Sequence, residues 1–530
     1  MAKLNDKGRP TRPEAATGTT GSATFTGHKG LILEEPLIFE MDSQGRCGVD
    51  LPEPEEMAPR LGKVKPRGKI GLPGLSEPQV VRHFTRLSQK NYGIDSGLFP
   101  LGSCTMKHNP RLNEKLARLP GFADIHPLQP VSTVQGAYAL IHELSDWICK
   151  LTGMPAVAMS PAAGAHGEFC GMVAIKAAIE AKHENREIVL VPESAHGTNP
   201  ATAASLGFKV KSIPADDRGR VDVQAVKDAI AEDPDNIAAI MLTNPNTCGL
   251  FETDIKTVAD AIHEAGGYFY CDGANFNAIV GRVRPRDLGV DAMHLNLHKT
   301  FSTPHGGGGP GSGPVVLSER LAAYAPVPFL VRGDDWLLKP VEHKGNSPVD
   351  TAPLGRLKAY HGQMGMFVRA LAYMLSHGAD GLRQVAEDAV LNANYVLERL
   401  NDVMTASYDG PCMHEALFDD RFLKDTGVTT LDFAKAMIDE GYHPMTMYFP
   451  LVVSGAMLIE PTETESREAL DLFIDTLRDL ATRAKSGDVA QFKAAPVHTP
   501  RLRLDETQAA RKPVLRWTAP VVETEELEAV

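Results

Sequence analysis

The sequence predicts an α/β protein with a mostly parallel sheet in a large domain, followed by a smaller α+β C-terminal domain. Short apolar runs alternate with amphipathic helical segments between residues 122 and 355, which is the pattern of repeated strand–helix–strand units. Helical spacing dominates after Gly355, with short strand-like pieces between the helices. Neighbouring parallel strands need a long crossover that is usually a helix, so the first pattern favours a parallel sheet with helices on both faces.

The chain is too long for a single domain, because 530 residues exceed what one ordinary hydrophobic core accommodates. We predict a flexible start and an extended N-terminal arm over 1–121, where Pro, Gly and charged residues are frequent. A large α/β domain then covers 122–355, a small α+β domain covers 356–504, and a surface tail covers 505–530.

Composition argues against several classes of protein. The net charge of −13 disfavours nucleic acid as the main partner, and no apolar run is long enough to span a bilayer. The seven cysteines are scattered and never form a C-x-x-C pair, so we predict neither a disulfide framework nor a metal site. This cysteine usage, with no apolar signal-peptide core in the first thirty residues, predicts a cytoplasmic protein.

The individual elements follow from periodicity and end signals. A helix is predicted from Glu77 in the arm, and another from Ser132 to Gly153, where a hydroxyl caps the start and glycine closes the end. Helices are also predicted over Val221–Asp233 and Asp254–Gly267. The predicted strands are AVAM from Ala156, EIVLVP from Glu187, FKVKSIP from Phe208, NIAAIMLT from Asn236, GYFYCD from Gly267 and MHLNL from Met293.

The small domain is predicted to be mainly helical. Its longest segment, Met364 to Leu400, has continuous helical spacing but contains Gly378, where we expect a break. Two further helical runs follow, separated by short strand-like pieces. This mixture predicts an α+β domain.

Two residues in the large domain predict a cofactor. Lys299 lies just before four consecutive glycines, Gly306 to Gly309, and Asp272 ends the apolar stretch YFYCD. A lysine amine beside a loop without side-chain bulk can form a Schiff base with an aldehyde, and a buried carboxylate can hold a pyridine nitrogen protonated. Together they predict pyridoxal 5′-phosphate (PLP). Singly, Lys299 is also compatible with a solvated lysine, and Asp272 with a helix cap or a core salt bridge.

A second segment, SPAAGAHGE from Ser160, follows a predicted strand and opens a helix. Its small residues expose backbone N–H groups at the helix N-terminus, so Gly164 and Ala165 are candidates for binding the cofactor phosphate. His166 lies just inside this helix, where its ring can project over a flat cofactor. The alternative is a capping loop with a surface histidine.

Two further segments carry polar candidates. The loop from Glu193, ESAHGTNPATAA, follows another strand end and offers His196, Thr198 and Asn199 as contacts for the cofactor's phenolic oxygen or for a substrate. A turn-and-cap role fits these side chains equally well. His298 directly precedes Lys299 and is a further candidate for cofactor binding.

In the arm, the segment LFPLGSCTMKHNP contains Cys104. Lys107 and His108 are close enough in sequence to lower the pKa of this thiol and make it a nucleophile. The segment does not have helical spacing, so nothing directs them towards it. We favour an unreactive thiol in a lid element.

These segments together resemble the glycine cleavage system P-protein (glycine decarboxylase) family, from the segment at Leu98 to the LRW after Val514. The resemblance implies a type I PLP-dependent transferase-like fold. It implies that Lys299 is the lysine that carries the cofactor, that Asp272 is the partner of the pyridine nitrogen, and that His166 stacks on the ring. The family occurs as one long chain or as two subunits, and this length with the lysine motif resembles subunit 2.

The resemblance also implies a reaction and partners. The family decarboxylates glycine, releases CO2 and transfers the aminomethyl group to the lipoyl disulfide of H-protein, which makes the step an oxidoreduction. Lys299 or His166 is then expected to move the protons as a catalytic residue. The expected partners are glycine, lipoylated H-protein and a subunit 1 in an α2β2 heterotetramer, with no nucleic acid and no membrane.

Three alternatives stay open. Another type I PLP enzyme, such as an amino acid decarboxylase or a cysteine desulfurase, would share Lys299 and Asp272 but is not expected to carry LGSCTMK or HGGGGPG. A non-catalytic scaffold subunit would need neither residue, nor His166. A nucleotide-binding enzyme is disfavoured, because no glycine run is followed by Lys and Ser or Thr, and none has dinucleotide spacing.

Overall fold

The computed structural model describes residues 35–43, 45–49, 51–52, 55, 60, 62–65, 68, 70–306, 311–342, 354–499 and 502–518. The chain forms two compact units. One comprises Ile94–Lys493, and the other comprises the described residues before and after that range. Three of the four consecutive glycines noted in the sequence, Gly307 to Gly309, lie outside the described residues.

The helices are α1 (Glu77–Gln89), α2 (Arg111–Ala117), α3 (Pro120–Ala123), α4 (Gln135–Thr152), α5 (Gly164–Ala181), α6 (Thr198–Ser205), α7 (Val223–Glu232), α8 (Ile255–Glu264), α9 (Leu297–Thr300), α10 (Met364–Leu400), α11 (Thr430–Asp439), α12 (Arg467–Lys485), α13 (Val489–Ala494) and α14 (Glu506–Arg511). The strands are β1 (Ala156–Ala158), β2 (Ile188–Pro192), β3 (Lys209–Ile213), β4 (Ile237–Thr243), β5 (Tyr268–Asp272), β6 (Ala292–His294), β7 (Val315–Leu317), β8 (Phe329–Arg332), β9 (Leu338–Val341), β10 (Thr405–Ala406), β11 (Ala416–Asp419), β12 (Thr446–Met447) and β13 (Met457–Ile459).

A seven-stranded sheet forms the centre of the larger unit, in the order β1-β7-β6-β5-β4-β2-β3. Strand β7 is antiparallel to both neighbours, and the other neighbouring pairs are parallel. Strands β4 and β5 are buried along their whole length, as expected where helices cover both faces. The six strands predicted from the sequence are all present, which confirms the mostly parallel sheet.

Apolar side chains on the two faces of this sheet form separate cores. On one face, α4, α7, α8 and α10 pack against side chains such as Phe269 and Leu242. On the other face, α5 packs against Tyr268, Tyr270 and Met241. Alternate residues of β5 thus point to opposite cores, which follows from the two-residue period of a strand. This layering fixes the strand ends, where the site lies.

The predicted helix ends are confirmed in part. The predicted hydroxyl cap at the start of α4 is wrong, because Thr133 Oγ1 donates to the Pro130 carbonyl in a preceding 3₁₀ turn and the cap position is Val134. The closing glycine is confirmed, since Gly153 has φ +73°. The break in α10 is confirmed as well, because Gly378 has non-helical angles with φ +63°.

The C-terminal part of the larger unit contains a second sheet. Its four strands run antiparallel in the order β10-β11-β13-β12. Helix α12 packs with buried side chains that include Phe473, Ile474 and Leu477, and α11 contributes Phe433. The α+β character predicted for this region is confirmed.

The smaller unit contains α1 and the terminal segments. Glu35 accepts a hydrogen bond from Arg86 Nη2 at 2.7 Å and lies 3.0 Å from His83 Nδ1, so this carboxylate is tied to α1. Phe39 stacks on Trp517 with ring centroids 5.3 Å apart. In the described part of the chain, no helix is both long and apolar enough to cross a membrane.

Candidate active site

A cavity of about 290 Å³ lies at the carboxyl ends of the parallel strands. Thr243, Asp272 and His294, the last residues of β4, β5 and β6, all line it. In open α/β sheets the strand ends leave a crevice in which ligands bind. This cavity is therefore the candidate active site.

Asp272 is an oriented, ionised carboxylate in the wall of this cavity. It is 3% exposed, its Oδ2 accepts from Asn199 Nδ2 at 3.0 Å, and its Oδ1 accepts from the Ala274 N–H at 2.9 Å. His294 Nε2 lies 3.4 Å from Oδ1. Burial alone would raise the pKa of Asp272, but His294, these hydrogen bonds and the charge of Lys299 outweigh it and lower the pKa. The carboxylate is thus available to a cationic ring nitrogen.

Lys299 is a buried amine on the same cavity. It lies in α9, a single helical turn that begins directly after Asn296. The residue is 8% exposed and lines the cavity. Its Nζ donates a hydrogen bond to the Ser103 carbonyl at 2.8 Å. The predicted pairing of Lys299 and Asp272 in one site is therefore present, with the arm segment as an additional wall.

The N-terminus of α5 forms another part of the wall. Gly164 and Ala165 line the cavity at the start of this 18-residue helix, whose first N–H groups carry partial positive charge. A Cβ on Gly164 would lie 3.0 Å from Asn296 Oδ1, so a larger residue would crowd the pocket. Asn296 Oδ1 and Thr243 Oγ1 are buried polar atoms without a hydrogen-bond partner in the described structure. The helix N-terminus fits an anionic group such as the phosphate of PLP, and the unpaired polar atoms leave hydrogen bonds for a polar ligand to complete.

His166 lies just inside α5, as predicted, and its contact with the cofactor ring stays a prediction. It is half-buried in the first turn of α5, and its Nδ1 accepts a hydrogen bond from the Ala162 N–H at 3.2 Å. It is not among the described residues that line the cavity, whereas His196 is. Burial and the charge of Lys358 lower the pKa of His166. The structure thus places His196, and not His166, in the wall of the described cavity.

The remaining predicted residues divide between wall and support. Thr198 lines the cavity, and its Oγ1 donates to Glu168 Oε1 at 2.7 Å. Asn199 is fully buried behind the wall, where it orients Asp272. His298 lines the cavity and its Nδ1 accepts from the Ser312 N–H at 3.3 Å. Burial and the charges of His305 and Lys299 lower the pKa of His298 to about 3, so it is neutral.

Several cavity residues were not predicted to bind a ligand, among them His294, His305 and Ser103. His294 contacts Asp272, and its Nδ1 lies 2.6 Å from the Tyr270 hydroxyl. His305 lines the wall, with its Nδ1 3.7 Å from Cys104 Sγ. A signal for His294 was available, because it lies in the predicted strand MHLNL, two residues before Asn296. Nothing local marks His305 or Ser103, which reach the site through tertiary packing.

Cys104 is a protonated thiol on the cavity. Burial raises its pKa, although the charge of Lys299 acts in the opposite direction. Lys107 Nζ turns away from it and lies 2.6 Å from Glu463 Oε1, and it also donates to Asn277 Oδ1 at 2.8 Å. The structure therefore gives no support to an activated nucleophile and agrees with an unreactive thiol.

Comparisons with known proteins agree on the fold. The family model "Aminotransferase class-V" matches residues 167–309, and "Glycine dehydrogenase, C-terminal domain" matches 385–499. A crystal structure of glycine decarboxylase (P-protein) of the glycine cleavage system, in inhibitor-bound form, has a TM-score of 0.64 at 20% identity, covering 82% of this chain and 91% of that one. A NifS-like protein has a TM-score of 0.55 at 13% identity, over 73% and 99%. The predicted PLP-dependent transferase-like fold is confirmed.

Sequence relatives cover nearly the whole chain. A probable glycine dehydrogenase (decarboxylating) subunit 2 from Caulobacter vibrioides is 66% identical over 97% of this chain and 98% of its own length. The protein of the same name from Listeria monocytogenes serotype 4a is 48% identical over 92% and 99%. The chain is thus an enzyme that belongs to the family of glycine dehydrogenase (decarboxylating) subunit 2 of the glycine cleavage system.

Proposed function

We propose that this chain is the PLP-binding subunit of a glycine decarboxylase, which removes CO2 from glycine and passes the aminomethyl group to the lipoyl disulfide of H-protein. The observation that carries the proposal is the buried pair of Lys299 and Asp272 on one cavity at the sheet's carboxyl edge. Family membership supports the choice of glycine over other amino acids.

The residues around the cavity would hold PLP in a fixed orientation. The N–H groups at Gly164 and Ala165, at the start of α5, would donate to the phosphate. Asp272 would keep the proton on the ring nitrogen, because its carboxylate stays ionised. When bound, PLP supplies an electron sink for the charge left on the glycine α-carbon as CO2 leaves.

Lys299 would attach the cofactor and then handle protons. Its Nζ donates a hydrogen bond to the Ser103 carbonyl. A carbonyl oxygen accepts this hydrogen bond but does not take the proton from the amine. The released amine of Lys299 can therefore receive or return a proton near the α-carbon without leaving the cavity. His166 as a second proton carrier stays a prediction, since its ring nitrogen is engaged by Ala162.

Two histidines are candidates for the ring-facing side chain. The family resemblance predicts His166, whereas His196 lines the cavity. We expect His196→Ala to weaken PLP binding about tenfold, equivalent to about 1.4 kcal/mol, and His166→Ala to change it less. Equilibrium dialysis of PLP against both variants checks this. A larger loss in His166→Ala would restore the role predicted from the resemblance.

The assembly and location follow from the same proposal. The relatives are named as a subunit 2, so we propose a separate subunit 1 in an α2β2 heterotetramer. The seven free cysteines of the described residues fit the cytoplasm. The four-part division of the chain at residues 121, 355 and 504 stays a prediction.

Exchange of labelled bicarbonate into the carboxyl group of glycine tests the function. The purified PLP-bound chain is assayed alone, with subunit 1, with lipoylated H-protein, and with both. We expect full exchange only with both partners and none in any mixture that contains Lys299→Ala. A PLP-bound protein that never exchanges label would sink the glycine assignment and favour another PLP-dependent reaction.

The attachment residue is tested separately from activity. Borohydride reduction of the PLP-bound chain should fix the cofactor to a single peptide containing Lys299, read by mass spectrometry. Lys107→Arg, at the other buried lysine near the site, serves as the control and should leave the labelled peptide unchanged. Label on a different lysine would overturn the role of Lys299.

A further inference from the structure

Two buried glutamates lie behind the arm segment that receives Lys299. Ala416 of β11 pairs with Ile459 of β13, and this antiparallel register places Glu415, one residue earlier, opposite Glu460, one residue later. Their exposed fractions are 0% and 1%. Like charges directly opposite each other on antiparallel strands repel, and they do so strongly away from water.

Each carboxyl group contacts the arm segment. Glu415 Oε1 accepts a short hydrogen bond from the Ser103 N–H, and Glu460 Oε1 accepts one from Thr105 Oγ1 at 2.5 Å. The carbonyl of Ser103 is the acceptor for Lys299 Nζ. One peptide unit on either side of Ser103 thus connects the glutamate pair to the cofactor lysine.

No lysine or arginine of the described structure lies within 4.0 Å of either carboxylate, although the charge of Lys299 acts on both. The only basic group within 4.0 Å of either carboxylate there is His414, whose Nε2 lies 3.8 Å from Glu415 and 3.9 Å from Glu460. Burial lowers the pKa of His414 to about 3, so its ring is neutral, and both of its nitrogens are without hydrogen-bond partners. Glu415 Oε2 and Glu460 Oε2 are likewise unpartnered. Two ionised carboxylates in this setting would be very costly.

The backbone of the arm segment also needs support at this point. Ser103 has φ +60°, a left-handed conformation that is unfavourable for a residue with a side chain. Gly102 lies so close to β13 that a Cβ on it would come 2.4 Å from Leu458 Cγ. The segment therefore keeps its position only while its contacts to β13 and the glutamates persist.

We propose that Glu415 and Glu460 are positioning residues that share protons as an acid pair and hold Ser103 so that its carbonyl receives Lys299. The proposal rests on the proposed function, since it assigns the pair to the PLP-binding lysine. A neutral carboxyl group both donates and accepts, so an O–H of one glutamate can reach the free oxygen of the other. Burial raises the pKa of Glu415 to about 7 and that of Glu460 well above its usual value, which agrees with this state.

The pH dependence of apo-protein stability provides the first test. The groups that face the pair are His414, Lys299, Cys104 and Glu463. A glutamate whose pKa is higher in the folded chain than in the unfolded chain contributes stability at low pH and loses it as pH rises through its folded pKa. The pKa of a glutamate in the unfolded chain is about 4.3. The melting temperature without PLP should therefore fall as the pH rises from 5 to 8.

Glutamine mimics a protonated carboxyl group and cannot titrate. We expect Glu415→Gln and the double variant with Glu460→Gln to flatten this decline and to melt at or above wild type at pH 8. Glu252→Gln is a positive control for the method, because Glu252 is 3% exposed and burial raises its pKa to about 7 outside this cluster. It should flatten the decline as well, but without changing PLP binding. Glutamine variants that lose stability at every pH would show that both carboxylates are ionised and would overturn the proposal.

The second test addresses positioning. Glu460→Ala leaves Thr105 unpaired, and we expect it to weaken PLP binding about tenfold, the effect of one buried hydrogen-bonding group left without a partner. Glu460→Gln should restore most of that loss. The pH midpoint of the visible band of lysine-bound PLP should shift in Glu460→Ala but not in Glu252→Gln. Equal PLP affinity and an unshifted midpoint in Glu460→Ala would overturn the positioning role.

The cluster also has the donor atoms of a metal site, since ligand atoms of His414, Glu415 and Glu460 all lie within 4.8 Å of one another. Elemental analysis of the purified chain decides this point. One tightly bound divalent ion per chain, lost in His414→Ala, would replace the acid pair and overturn the proposal. If wild type takes up no PLP at all, the proposed function fails, while the apo-protein melts still decide the protonation of the pair.

Discussion

The carboxylate of Asp272 shows how single side chains are tuned in this site. An amide, a backbone N–H and a histidine surround it, and together they keep it ionised despite its burial. Asn199 was predicted as a cofactor contact, yet in the structure it acts on the carboxylate. The surrounding residues thus keep the charge and the orientation of Asp272 fixed, so even a conservative substitution of Asp272 should affect the site.

Asp272→Asn removes that charge with little change in shape. We expect the variant to fold and to retain PLP, but to exchange bicarbonate with glycine about 10²–10³ times more slowly, because the ring nitrogen would lose its anionic partner. Steady-state exchange rates check this. The control is Asp291→Asn, which lies in the core beside Ser318 and should lower stability but not the rate of folded enzyme. A rate near wild type in Asp272→Asn would contradict the assigned role.

At the scale of elements, the arm segment is fixed by one buried ion pair. Lys107 Nζ lies 2.6 Å from Glu463 Oε1, with side-chain exposures of 1% and 7%, and it also donates to the Thr300 carbonyl of α9. Burial alone would lower the pKa of Lys107, but the attraction and hydrogen bonds of Glu463 and Tyr373 together outweigh it and raise the pKa, so Lys107 stays charged. The arm, α9 and the segment after β13 thus meet at one ammonium group.

Lys107→Met should lower the free energy of unfolding by about 3–5 kcal/mol, because it leaves the Glu463 carboxylate buried without its cation. Urea denaturation measures this change. Arg284→Met breaks the exposed pair with Asp287 and should cost less than about 1 kcal/mol. The double variant of Lys107→Met with Glu463→Gln should recover part of the stability that Lys107→Met loses. If the loss in the double variant equals the sum of the losses in Lys107→Met and Glu463→Gln alone, the two side chains are not coupled.

The loop before β7 approaches the start of α5 closely. A Cβ on Gly313 would lie 2.2 Å from the Ala163 carbonyl oxygen, which is backbone and cannot move aside without shifting the helix N-terminus. Gly313→Ala should therefore weaken PLP binding and lower stability by about 1–3 kcal/mol. Gly136→Ala in α4, where a Cβ meets nothing within 4 Å, should be neutral or stabilising by up to about 1 kcal/mol. PLP titration and thermal melts of both variants distinguish the two outcomes.

At the scale of the whole molecule, local sequence patterns predicted the strands and the residues at their ends, whereas contacts between distant parts of the chain could not be predicted. Asp272 and Lys299 were predictable because each ends or follows an apolar strand, and strand ends of a parallel sheet meet at one edge. The contact of Lys299 with Ser103 joins residues 196 apart in sequence, so no local pattern indicates it. The Glu415–Glu460 pairing depends on strand register, which a single sequence does not specify. Which of His166 and His196 faces the cofactor ring stays a prediction, because both histidines follow strand ends beside small residues.

The assembly is tested at the same scale. Mixed with subunit 1, the chain should form a four-chain particle with two copies of each subunit, measured by light scattering after size exclusion. A mixture that elutes as two separate species would contradict the heterotetramer.

The contact between Lys299 and Ser103 also constrains the order in which the protein matures. Ser103 in turn holds Glu415, a residue 312 positions further along the chain. Loops of this length close late, since the entropy of closure must be offset by many other contacts first. The lysine therefore acquires its surroundings only after the ribosome has released the region around β11. Cofactor capture should follow the synthesis of β11, and a nascent chain that ends before β11 should leave PLP in solution.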